Sequence, residues 1–185
     1  QVSVKYKTDL NASDLPTEDK PLDLSFRVTY IQADETSNAI TSNPIMNSDT
    51  TGNYHSDTYK SKVTKISTKK VLSVLDTAIE SWDVSVAQDG SIKAYVEDNG
   101  AGGYNVTICA DGEIYLNPSS KSLFSGFINL TTLDLSNINT KCASDISLLI
   151  SGCSNLVNLS LPILDTTNLT NMNGAFAGCS SLKSI

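Results

Sequence analysis

A phrase that returns every 26 residues constrains this chain more than any other feature. SLFSGFINLTTLDLSNINT, residues 122–140, is answered by ISGCSNLVNLSLPILDT, residues 150–166, and again by FAGCSSLKSI from Phe176. Phe127, Cys153 and Cys179 share the step, as do Leu130, Leu156 and Leu182, and Leu133, Leu159 and Ile185. Leu135 repeats as Leu161, Thr140 as Thr166, and Gly126 as Gly152 and Gly178. One unit of this length cannot bury its own apolar face, so copies must stack to make a core. The expected structural ladder is Phe127, Leu130, Leu133, Leu135, Cys153, Leu156, Leu159, Leu161, Cys179 and Leu182.

A period in the twenties carrying L-x-x-L-x-L predicts leucine-rich-repeat coils, each with one short strand and a helical or turn segment on its return side. SDISLLISG and TNMNGAFAG would be those return segments. The fold class this implies is α+β: a leucine-rich-repeat solenoid over residues 122–185, incomplete at its carboxyl end, behind a hairpin cap. Ile185 falls inside a third coil, so the expectation is a chain that continues or a partner that covers the last apolar edge. Gln1 reads as an amino end that was processed, trimmed or only partly represented.

Upstream, the texture changes twice. Residues 1–57 are polar and would form a mostly β or extended segment, a possible docking arm for another copy or an assembly partner. One strand is convincing there: Leu22, Leu24, Phe26, Val28 and Tyr30 alternate with polar residues. SVKYK is a weaker second. Residues 58–121 would be an α+β cap. It opens with a strand in TYKSKVTKI, followed by a helix capped by Ser67 or Thr68, with Val71, Leu75, Ala78, Ile79 and Trp82 at three- and four-residue steps. Four short antiparallel strands are then expected around Asp89-Gly90 and Asp111-Gly112, because glycine tolerates the positive φ of tight turns. DNGAGG lacks the acidic positions and closing Glu of a calcium loop and reads as a plain connection.

The chain carries 13 Lys and Arg against 20 Asp and Glu, a net charge of −7, which argues against nucleic acid or an anionic membrane as partner. No run approaches the ~20 apolar residues of a membrane helix. Cys109, Cys142, Cys153 and Cys179 show no C-x-x-C spacing and have one histidine, His55, for company, so neither a zinc site nor another metal or cofactor site is expected. Cys153 and Cys179 read as rungs of a buried thiol ladder, with a disulfide open on distance alone. His55, in GNYHSD, reads as a solvated loop residue. Asp83, Asp89, Asp98 and Asp111 read as turn or strand-edge residues, and no nucleophile or phosphate-loop motif is present, so no enzyme is expected.

Residues 58–185 resemble the BspA-like leucine-rich-repeat surface proteins of host-associated bacteria. The likeness rests on WDVSVAQDGSIKAYVEDNG with YNVTICADGEIYLNPSSKSLFSGF, and on DTTNLTNMNGAFAGCSSLKSI in the repeat. The first coil departs from it, placing Cys142 and Asp145 where the second has Asn168 and Asn171. The resemblance implies an extracellular or cell-surface, non-enzymatic role in adhesion or host binding, with a protein or glycan as partner. The positions between ladder leucines, Thr131, Thr132 and Asp134, then Val157, Asn158 and Ser160, are the expected contact residues; a plain solvated face is the competing reading. An alternative function is a phage virion decoration, fibre or tail accessory protein that uses the same module on a host surface.

Overall fold

The computed structural model describes residues 44–72 and 75–183, all within one compact unit, Ile40–Ile185. The expected strands at 22–30 and in SVKYK, and most of the proposed arm, lie outside the described residues. The remainder of that arm, 44–57, packs on its own chain. Met46 N–H donates to Tyr115 O at 2.8 Å, and Asn47 N–H to Val84 O at 2.7 Å.

The expected α+β solenoid behind a separate hairpin cap is overturned. The described chain is mostly mixed β-sheet, and its only α-helix is the single turn α1, Asp57–Lys60. The strands are β1 (Val63–Lys69), β2 (Glu80–Asp83), β3 (Ile92–Asp98), β4 (Tyr104–Ala110), β5 (Ile114–Tyr115), β6 (Thr132–Asp134), β7 (Ile138–Asn139) and β8 (Asn158–Ser160). Six of them form one sheet in the order β2-β3-β4-β1-β6-β8, and β5 pairs with β7. β2, β3 and β4 are antiparallel neighbours, whereas β1 runs parallel to both β4 and β6, and β6 parallel to β8. β1 thus welds the hairpin strands to the repeated ones.

Two local expectations fail for the same reason. The helix proposed from Ser67 to Trp82 is absent among the described residues: β1 runs to Lys69, and Trp82 lies in β2. β-branched Val63, Thr64, Ile66 and Thr68 favour a strand, and a strand paired on both edges outweighs a short local helix. The supposed helical stripe is not a core face, since Val71 and Ile79 are 64% and 53% exposed. The fourth antiparallel strand also fails, because β5 pairs in parallel with β7 rather than folding back on β4.

The backbone explains why the return segments are not helical. Alternate N–H groups of residues 120–126 donate to the next copy: Ser120 to Asp145, Ser122 to Ser147, Phe124 to Leu149 and Gly126 to Ser151. Ile146, Leu148, Ile150 and Gly152 repeat the pattern onto Asn171, Asn173, Ala175 and Ala177. Hydrogen-bonding groups spent between copies are not available to an i→i−4 ladder within one. Each return segment also carries a left-handed residue (Ser122, Leu148 and Gly174 at φ 58°, 56° and 63°) four places before Gly126, Gly152 or Gly178 at 75–76°. A Cβ on Gly178 would stand 3.3 Å from Gly152 Cα and N, so stacked backbones favour glycine at that position.

The departures in the first copy are chemically mild. Asp145 Oδ1 accepts Ser147 N–H at 2.8 Å, and Asn171 Oδ1 accepts Asn173 N–H at 3.1 Å, the same self-capped turn from either side chain. Asn168 Nδ2 donates to Lys141 O at 2.8 Å, a bond Cys142 has no amide to copy. The core runs through Ile66, Val106, Ile108, Phe124, Phe127, Leu130, Leu133 and Leu156, all fully buried.

Candidate functional site

Strand register places the expected contact residues. Lys65 stands between Asn105 and Thr132, and Thr132 beside Asn158. Ser67 stands between Thr107 and Asp134, and Asp134 beside Ser160. Side chains alternate along a strand, so these two rows share one face while Ile66, Leu133 and Leu159 turn to the core. Lys65, Asn158 and Ser160 are exposed, and Ser67, Thr132 and Asp134 half-buried. Asn158 Nδ2 reaches Thr132 Oγ1 at 3.5 Å, and Asp134 Oδ1 accepts Ser136 N–H at 3.0 Å. The result is a small polar face on β1, β6 and β8.

Thr132, Asp134, Asn158 and Ser160 are therefore brought together. Thr131 and Val157 lie outside the rows, just before their strands. The Thr131 hydroxyl donates to Thr64 O at 3.0 Å, and Val157 is 46% exposed. Lys65 and Ser67 were missed, because the strand that carries them lies far away in sequence. Their alternation with Thr64, Ile66 and Thr68 was the signal available.

At the amino ends of these strands lies a groove of about 340 Å³ lined by Lys62, Thr64, Asn99, Asn129, Thr131 and Asn155, among others. Its wall is held by side-chain bonds. Asn99 Nδ2 donates to Thr64 Oγ1 at 3.0 Å, Asn99 Oδ1 accepts Gly103 N–H at 3.0 Å, and Asn129 Nδ2 donates to Ser61 O at 2.6 Å. A Cβ on Gly103 would sit 2.8 Å from Lys62 O, so the wall requires glycine there. Asn129 and Asn155 are separated by the same 26-residue step.

His55 is not a solvated loop residue. It is 4% exposed, with Nε2 2.7 Å from Leu123 O and Nδ1 2.9 Å from Asn53 Oδ1. The ring lies 4.1 Å from that of Tyr54 and 5.6 Å from that of Phe127. Burial dominates its titration and pushes the imidazole down to about 4, so the ring is neutral near pH 7. Tyr54 beside it is fully buried, its hydroxyl without a partner within the described structure, and burial holds its pKa far above the usual phenol value. This cluster ties residues 53–55 to the repeats as a structural staple.

Cys153 and Cys179 are thiols. Cys153 Sγ donates to Phe124 O at 3.2 Å and Cys179 Sγ to Ile150 O at 3.1 Å, one bond copied a step along. Burial raises the Cys153 thiol to about 11 and lifts Cys179 in the same direction. Among the described residues no three His, Cys, Asp or Glu side chains group closely enough to hold a metal ion, and no helix is long and apolar enough to cross a membrane. No family model matches the chain, and neither a curated protein nor a solved structure is detectably similar to it.

Proposed function

We propose that the chain is a non-enzymatic module of an extracellular or cell-surface protein, binding a protein or glycan on a host or cell surface. The observation that carries this reading is the pair of polar rows, Lys65-Thr132-Asn158 and Ser67-Asp134-Ser160, on one face of three adjacent strands. Their backbones are fixed by pairing and, Lys65 apart, their side chains are short, so ordering those five on contact costs little entropy. The sequence likeness of residues 58–185 to BspA-like surface proteins supports the location.

The test is saturable binding of the labelled full-length chain to intact epithelial cells. A T132R/N158R variant with unchanged circular dichroism should lose at least tenfold in apparent affinity. Equal binding by variant and parent would remove the face from the function.

A further inference from the structure

We infer that the groove at the amino ends of β1 and β6, together with Lys65, which follows the lining residue Thr64 on the polar face, is a subsite for an acidic glycan, a carboxylated or sulfated oligosaccharide. This rests on the binding reading above and names the ligand class. The chain as a whole carries a net charge of −7, yet Lys60, Lys62, Lys65, Lys69 and Lys70 all fall within residues 60–70. Two of these are engaged: Lys70 Nζ lies 3.3 Å from Glu113 Oε1, and Lys60 Nζ lies 5.4 Å from the Phe127 ring centroid. Lys62 lines the groove, and Lys65 stands on the polar face between neutral Asn105 and Thr132. Neither ammonium has an ion-pair partner among the described residues.

The rest of the groove suits sugar hydroxyls. Amide and hydroxyl groups both donate and accept, as a sugar hydroxyl does. Asn99 and Asn129 are pinned by their own bonds, which leaves Asn129 Oδ1, the Thr131 oxygen lone pairs and the Asn155 amide without a partner among the described residues. Lys62 lies just before β1 and Lys65 within it, three residues on, so anionic groups would have to recur along the ligand. None of the lining residues is aromatic, which disfavours single-stranded nucleic acid, whose bases need a stacking platform. The chain's net charge of −7 disfavours polyanion binding away from these lysines.

The experiment is calorimetric titration of the full-length chain with four probes: a hyaluronan hexasaccharide, a chondroitin sulfate hexasaccharide, neutral chitohexaose and oligothymidylate. The inference predicts that at least one acidic oligosaccharide binds, tenfold or more tighter than chitohexaose, and weakens as salt rises. The two acidic probes separate carboxylate from sulfate recognition. K62Q and K65Q should each weaken binding severalfold, N155A about threefold, and K183Q, on the last repeat, not at all. Absence of binding to both acidic probes overturns the inference, as does equal binding of chitohexaose or oligothymidylate, or indifference to K62Q and K65Q. If the glycans fail while T132R/N158R still abolishes cell binding, the glycan inference falls and the face reading stands.

Discussion

The two complete copies of the repeated phrase share their letters but not their surroundings. Leu133 and Leu159 occupy the same place in β6 and β8 and pair directly in register. Leu133 is fully buried, whereas Leu159 is only partly covered. The same loss of cover separates Leu135 from Leu161, Leu130 and Leu156 from Leu182, and Cys153 from Cys179. β6 has β1 on one side and β8 on the other, while β8 has β6 alone among the described strands. A repeated leucine therefore contributes according to how many neighbours cover it, and the repeat in the letters does not imply a repeat in the energetics.

The largest test of this contrast is truncation at matched positions. Leu133→Ala should cost about 4 kcal/mol, near the upper part of the range for buried leucines, and Leu159→Ala about 2 kcal/mol. Urea denaturation of both variants measures the difference, and equal losses would break the contrast.

The second prediction concerns the staple onto the inner copy. The neutral form of His55 is favoured by folding, so its contribution is intact above pH 6.5 and is lost as pH falls from 6.5 toward 4. About 3 kcal/mol should disappear across that window, given ~1.36 kcal/mol per pKa unit. The lowered aspartates Asp49, Asp83, Asp89, Asp145 and Asp165 act below their usual 3.8, whereas Glu113, lowered from 4.5, overlaps the acid end of the window. A His55→Gln variant should flatten the stability profile between pH 4 and 6.5; an unchanged slope would assign the acid sensitivity elsewhere.

Smaller effects follow at the same two levels of cover. Tyr54→Phe removes a buried hydroxyl that has no partner among the described residues and should raise stability by about 1 kcal/mol in thermal melts. Under native conditions Cys179 should react with a thiol reagent faster than Cys153, which is more deeply buried and more strongly raised. Labelling at equal rates would mean that the third copy is as well covered as the second at this rung.

Part of this was legible in the letters because it is periodic. The 26-residue step survives as β6–β8 register, and the alternation in 92–96 and 104–108 survives as β3 and β4. What was illegible depends on partners distant in sequence. Ser67 and Thr68 look like helix caps until Thr107 and Asp134 are known to flank Ser67 on both sides. The helical spacing of Val71, Leu75 and Ile79 has no apolar surface to meet. Polar neighbours disguise His55, and its burial comes from Leu123 and Phe127, well along the chain. The candidate face was half visible, in Thr132, Asp134, Asn158 and Ser160; Lys65 and Ser67 join it only through the parallel pairing of β1 with β6.

That pairing is the central claim, because it makes one sheet of the hairpins and the repeats and builds the face from three strands. A K65C/T132C variant, oxidised while native and mapped by peptide mass spectrometry, tests it most directly. Paired residues on adjacent strands lie within disulfide range. The account predicts a 65–132 cystine in high yield with native circular dichroism. A folded variant that keeps both thiols reduced, or pairs them with other cysteines, would contradict it.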